Sequence, residues 1–237
     1  VEGGHGVAVE VNSETDFVAR NENFQKMVGD ISALALETGG DLDALLSAQY
    51  PGAGKSVADH VSEMVGTIGE NMTVRRADAV NVSEGVVATY IHTQAAPGMG
   101  KIGVLVGIES GADADALNAF GRQIAMHVAA ANPLAVTSDE LDQDLVARER
   151  AILVDQARES GKPEQVIEKM IVGRMKKFVA ESTLLNQQFV VNPDLTVEAA
   201  AKEAGATITG FVRVEVGEGI EVEKEDFAAE VAKAAQG

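Results

Sequence analysis

Cysteine is absent from all 237 residues. That excludes disulfides, thiolate metal sites and a thiol nucleophile, and it fits a reducing compartment. Tryptophan is absent too, and seven Phe and two Tyr are the whole aromatic complement, so each ring calls for an explanation. Positive charge is scarce: 19 Lys and Arg face 37 Asp and Glu, a net charge of -18. Such a surface repels phosphate backbones and anionic lipid, so neither nucleic acid nor membrane is an expected partner. A basic or metal-bearing protein suits it better. No apolar run approaches the roughly 20 residues that span a bilayer, and no signal-peptide pattern is present. The first residue is Val1, inside a predicted strand, which carries the expectation that the natural N-terminus lies upstream. What remains, 46% hydrophobic and 24% charged residues, suits a globular chain of one or two domains.

What is present is strongly patterned. Gly6 to Val11, "GVAVEV", reads as a strand. Phe24, Met27, Val28, Ile31, Leu34 and Ala35 then recur at three- and four-residue steps, a helical stripe ended by Gly39 and Gly40. "DLDALLSAQ" suits a short helix, "YPGAGKS" a loop, and Val57 to Ile68 a further helix. "MTVRRADAVNV" and "GVVATYIHT" are β-rich and separated by "SEG", which predicts an antiparallel hairpin between them.

The opening pattern then returns. "GVAVEVNSETDFVARN" from Gly6 aligns with "GVLVGIESGADADALN" from Gly103. Val7, Val9 and Val11 meet Val104, Val106 and Ile108; Ser13 meets Ser110, Asp16 meets Asp113, and Asn21 meets Asn118. The second helix places Leu117, Phe120, Ile124, Val128 and Ala131 on one face. Two copies of a strand-to-helix unit predict two related subdomains. From Ser138 to about Ser160, and again from Pro163 through Phe178, charged helical patterns flank "SGKP". Leu141, Leu145, Val146 and Ile152 are the apolar positions of the first, and Val166, Ile167, Met170, Met175 and Phe178 those of the second. They predict a helical hairpin projecting as a coiled coil. A short helix and a strand follow through "TVEAAAKEAGATITGFVRVEVGEG", then a C-terminal helix and tail. The expected class is α+β. Residues 1–96 form an N-terminal core subdomain, 97–137 and 183–223 a C-terminal one, 138–182 an inserted hairpin, and 224–237 the tail.

No catalytic constellation emerges. "YPGAGKS" has Gln49 where a phosphate loop needs glycine, and in "PGMGKIG" Ile102 follows the lysine. His5, His60, His92 and His127 show no metal-ligand spacing, so neither a metal nor a cofactor is expected. His127 falls near an apolar stripe, where a hydrogen-bonded, partly buried role is the ordinary one. No nucleophile elbow surrounds any serine.

One stretch resists routine reading: "NSETDFVARNENF", Asn12 to Phe24. A capping box would use Ser13 as N-cap and Asp16 as third helical residue, and the repeat keeps that spacing at Ser110 and Asp113. It does not explain Phe17, whose counterpart is Ala114. Phe17 is either core or an aromatic anchor held out for a partner.

Five segments carry a resemblance: "TDFVARNENF" (15–24), "HTQAAPGMGKIGVLV" (92–106), "IAMHVAAANP" (124–133), "LLNQQFVVNPDLTV" (184–197) and "FVRVEVGEGIE" (211–221). In order and over nearly the whole chain, they resemble the bacterial elongation factor Ts family. That family normally begins with a small helical domain, not seen in these residues, and its glycine-rich turn is shorter than "TQAAPGMGK" (93–101). The resemblance implies a cytoplasmic guanine-nucleotide exchange factor for elongation factor Tu rather than an enzyme. It implies that Thr15, Asp16, Phe17 and Val18 enter the partner GTPase near its magnesium, and that Ala125, Met126 and His127 make a second contact. It also leaves room for a homodimer through the C-terminal subdomain. The competing expectations are a helical-hairpin scaffold or dimerisation protein that binds without exchanging nucleotide, and an enzyme using the lysine–glycine loops.

Overall fold

The computed structural model describes residues 1–220. The helix and tail expected at 224–237 lie outside them. Strands β1 (His5–Ser13) and β2 (Met72–Asn81) form a two-stranded antiparallel sheet. Between them run α1 (Glu22–Glu37), α2 (Leu42–Ser47) and α3 (Val57–Ile68), whose N-caps Asn21, Asp41 and Ser56 accept hydrogen bonds from amides of the first turn. The α1 stripe of Phe24, Met27, Ile31, Leu34 and Ala35 is buried against Leu45, Val57, Val61 and the strand residues Val11, Met72 and Val74. Each large side chain so buried contributes about 1.5–3 kcal/mol, and together they make the first core.

Strands β3 (Gly85–Ala96) and β4 (Met99–Glu109) form an antiparallel hairpin. Helix α4 (Ala114–Ala131) crosses it, burying Leu117, Ile124 and Val128 against Val104, Val106 and Ile108. The approach is close: a Cβ at Gly121 would stand 2.4 Å from Ala88 Cβ. Helices α5 (Gln143–Glu159) and α6 (Glu164–Ser182) follow, and Pro163 is the N-cap of α6. They share Ala157, Ile167 and Ile171 with the partly buried Val154 and Met175, whereas Ile152 and Val166 of the expected stripes are exposed. The chain leaves for this pair and returns from it at one place, since Leu134 N–H donates to Ser182 O, and Leu184 N–H to Ala135 O. A small ladder of β5 (Gln188–Phe189) and β6 (Asn192–Thr196), then α7 (Val197–Glu203), complete the second core. Strand β7 (Thr207–Glu215) pairs antiparallel with β4, giving the sheet order β3-β4-β7.

The fold is therefore α+β, built on small antiparallel sheets. One expectation fails. β2 and β3 do not form a hairpin: β2 pairs β1, and β3 pairs β4. The reason is that the start of β3, Val86 to Ala88, is buried on both faces. Val86 joins the core under α4, while Val87 meets Val80 and Leu105 between the two sheets. The link over residues 82–84 thus stacks β3 on the first sheet instead of extending it. No helix among the described residues is long and apolar enough to cross a membrane.

Candidate partner-binding site

The β1–β2 ladder ends with Ser13 opposite Met72. Side chains continue its register where the backbones part. Asn71 Nδ2 donates to Glu14 Oε1. One residue further, Glu70 accepts two bonds from Thr15: from the backbone N–H at 3.0 Å and from Oγ1 at 2.7 Å. Asp16 faces Lys101 at the start of β4, Nζ to Oδ2 3.3 Å, with both side chains mostly exposed. An ion pair so wet contributes at most about 1 kcal/mol. It leaves Asp16 a charge that another partner could take over.

Phe17 comes next and is 81% exposed. Its backbone is relaxed, φ -69 and ψ -37. Val18, immediately after, is buried in the first core. A short 3-10 turn at Val18–Arg20 follows, in which Arg20 N–H donates to Phe17 O and Asn21 N–H to Val18 O. Asn21 Oδ1 then caps α1 through Asn23 N–H and Phe24 N–H. The ring is thus held in water by a loop fixed on both sides. The core alternative for Phe17 fails, and so does the capping box. Ser13 Oγ donates to Thr15 O, and Asp16 caps nothing. Beside the loop, a cleft of about 900 Å³ opens between α1, β1 and the β3–β4 hairpin. Thr15, Asp16 and Lys101 line it and Phe17 does not.

The second expected contact lies on α4. Met126 reaches the surface, 37% exposed, while Ala125 and His127 are fully buried. His127 Nε2 lies 2.8 Å from Gln187 Oε1, and Nδ1 accepts from Val190 N–H at 3.2 Å. That pattern suits a neutral ring with its proton on Nε2. Burial lowers its pKa, and the hydrogen bond to Gln187 opposes that only in part. The ring ties α4 to the turn after β5, where Val190 and Val191 are exposed. The sequence segments thus separate by role: Phe17, Asp16 and Met126 are accessible, and Val18, Ala125 and His127 hold them in place.

Sequence reading missed the residues that brace the loop. Glu70 and Asn71 are remote in sequence and carry no local motif, and Lys101 drew notice only as the lysine of "PGMGKIG", not as a partner of Asp16. It also missed Glu10, fully buried on β1, whose carboxylate accepts from Arg75 Nη1 at 3.0 Å, Arg76 Nε at 2.5 Å and Gly217 N–H at 2.8 Å. A bulge makes this possible. Glu10 pairs Arg76 and Val11 pairs Val74, so the unpaired Arg75 reaches the same carboxylate as its neighbour. The signal was there, as an acid inside an apolar strand and an arginine doublet in another.

Residues 14–218 match the family described as Elongation factor TS. The chain is 59% identical to Elongation factor Ts of Parvibaculum lavamentivorans, covering 99% of this chain and 78% of that protein. It is 65% identical to Elongation factor Ts of Ruegeria pomeroyi, over 100% and 78% of the two chains. It is 56% identical to that of Agrobacterium fabrum, over 99% and 78%. With the matched span running from the Thr15–Phe17 loop to the turn after β7, this chain belongs to the elongation factor Ts family.

Proposed function

We propose that this chain is a guanine-nucleotide exchange factor, which binds elongation factor Tu and speeds its release of GDP without covalent chemistry. The observation that carries the reading is Phe17: an aromatic ring 81% exposed on a loop whose neighbours are buried or hydrogen-bonded. A translational GTPase holds its diphosphate through a glycine-rich loop and a bridging magnesium ion. A ring wedged beside that site shifts the elements that carry the metal's ligands. Asp16 alters the charge balance there once it exchanges Lys101 for the partner's groups. Factor and nucleotide then lower each other's affinity by the same factor.

Magnitude sets the division of labour. A thousandfold faster release needs about 4 kcal/mol, and covering the Phe17 ring supplies about 1.5–3 kcal/mol. Contacts elsewhere, Met126 on α4 among them, hold the factor while the loop acts. We extend the same reading to the division of the chain into two related subdomains, and to α5 and α6 as a projecting hairpin that enlarges the contact surface. The test is stopped-flow release of a fluorescent GDP from elongation factor Tu, with and without this chain, across magnesium concentrations. Acceleration that shrinks as magnesium rises is expected. Binding with an unaltered off-rate would mark a scaffold instead.

A further inference from the structure

The strongest unassigned feature is the grip on the Phe17 loop. We propose that Glu70 is a positioning residue for exchange, acting through Thr15 to aim Asp16 and Phe17; this rests on the wedge reading above. Helix α3 ends at Gly69, whose φ of +86 turns the chain out of the helix. That left-handed residue sends Glu70 and Asn71 back alongside the end of β1, just before β2 begins. Both Glu70 oxygens are then engaged by one residue, Thr15, through its amide and its hydroxyl. A carboxylate suits this: it accepts on both oxygens, and charge-assisted bonds are stronger than neutral ones. Beside it the roles reverse: Asn71 Nδ2 donates a single bond to the Glu14 carboxylate.

The position matters more than the strength. Thr15 is the last residue before Asp16 and Phe17, and Val18 N–H donates to Thr15 O at 3.3 Å. Fixing Thr15 therefore fixes one end of the exposed pair, and the buried Val18 fixes the other. Without Glu70, the Thr15 amide and hydroxyl lose their partner, and the loop keeps only the Ser13 Oγ bond to Thr15 O, the turn bonds at Val18 and Arg20, and the wet Lys101 pair. The ring must then be ordered when the partner binds, which weakens its action without removing the surface that binds.

The test compares Glu70→Ala and Glu70→Gln, each alone and with Phe17→Ala, in stopped-flow GDP release from elongation factor Tu titrated to saturation. For Glu70→Ala the maximal release rate is expected to fall roughly tenfold, with the half-saturating concentration moving less than about threefold. Glu70→Gln, which keeps one acceptor oxygen, is expected in between. On the Phe17→Ala background, Glu70→Ala is expected to slow release by no more than about twofold further, because both changes disable one device. Hydrogen exchange supplies a readout independent of the partner: the Thr15 amide speeds up in Glu70→Ala while β1 amides keep their protection. A wild-type maximal rate in Glu70→Ala, with Phe17→Ala slow, overturns the role of Glu70 alone. So does a full multiplication of the two losses, or loss of β1 protection, which would make Glu70 structural. A Phe17→Ala chain with an unaltered rate removes the wedge reading itself, and this proposal with it.

Discussion

The two strand-to-helix units of this chain align residue for residue, yet they start their helices differently. In the second, Asp113 is the N-cap, accepting from Asp115 N–H and Ala116 N–H, and α4 begins at once with Ala114. In the first, the aligned Asp16 caps nothing, the aligned Phe17 lies in water, and α1 waits until Glu22. Its cap is Asn21, whose counterpart Asn118 sits inside α4 and donates to Ala114 O. The residues that make the first helical turn in one copy make an exposed loop in the other. A delayed N-cap, a buried Val18 and the Thr15–Glu70 bonds accompany the displayed aromatic and carboxylate in the first copy. Other aligned pairs diverge as well. Buried Glu10 faces Gly107 in the alignment, and Phe24, which fills the first core, faces Gly121, where α4 touches the sheet.

Breaking these differences one at a time should produce graded effects. The largest is expected at Glu10. Replacing it with alanine leaves two guanidinium groups without their shared carboxylate, and should cost about 3 kcal/mol or more in urea unfolding. Burial alone would raise the Glu10 pKa, but the Gly217 amide, Arg76 and Arg75 together hold it below the ordinary value. Its contribution is therefore complete above the ordinary glutamate range and is lost as pH falls through the lowered folded-state pKa. A wild-type stability profile that kept this contribution in acid would contradict the assignment.

Phe17→Ala comes next. Stimulated GDP release should drop roughly 10- to 100-fold, the equivalent of the ring's burial, while thermal stability stays put because the ring is 81% exposed among the described residues. A loss of stability instead would mean that the ring is packed at home.

Gly121→Ala should destabilise by about 1–3 kcal/mol, since the added methyl meets Ala88 Cβ at 2.4 Å and Ile108 Cδ1 at 2.8 Å. Denaturant midpoints measure it, and a neutral result would show that α4 has room to lift.

The smallest effect is the most discriminating. Asp113→Ala removes a working cap and should cost about 1 kcal/mol. Asp16→Ala removes only an exposed ion pair and should cost less than about 0.5 kcal/mol, yet slow exchange. If both aspartates cost the same in a thermal melt, the two units share a helix start after all.

Much of this was legible without coordinates. The α1 stripe from Phe24 to Ala35 and the helix over Val57–Ile68 stand where periodicity places them, because local hydrogen bonding and one buried face set that period. The repeat exposed the oddity of Phe17, since the aligned position in the second copy is Ala114, which carries no ring. The hairpin predicted between β2 and β3 was wrong for a general reason. A short polar link permits a hairpin, but Val86 and Val87 at the start of β3 are buried on opposite faces, which favours a stacked position.

By itself, then, the sequence determined the local elements, the doubling of the strand-to-helix unit and the acidic surface, all of which depend on neighbours along the chain or on composition. Tertiary structure alone decided that Asn21 rather than Ser13 caps α1, that Phe17 is displayed rather than packed, and that His127, expected to be hydrogen-bonded and partly buried, is fully buried with Gln187 and Val190 as its partners. The Thr15–Glu70 and Glu10–Arg76 contacts join residues far apart in the chain. Such pairings form only when folding has closed the loop between them, and no window of neighbouring residues encodes which partner will arrive.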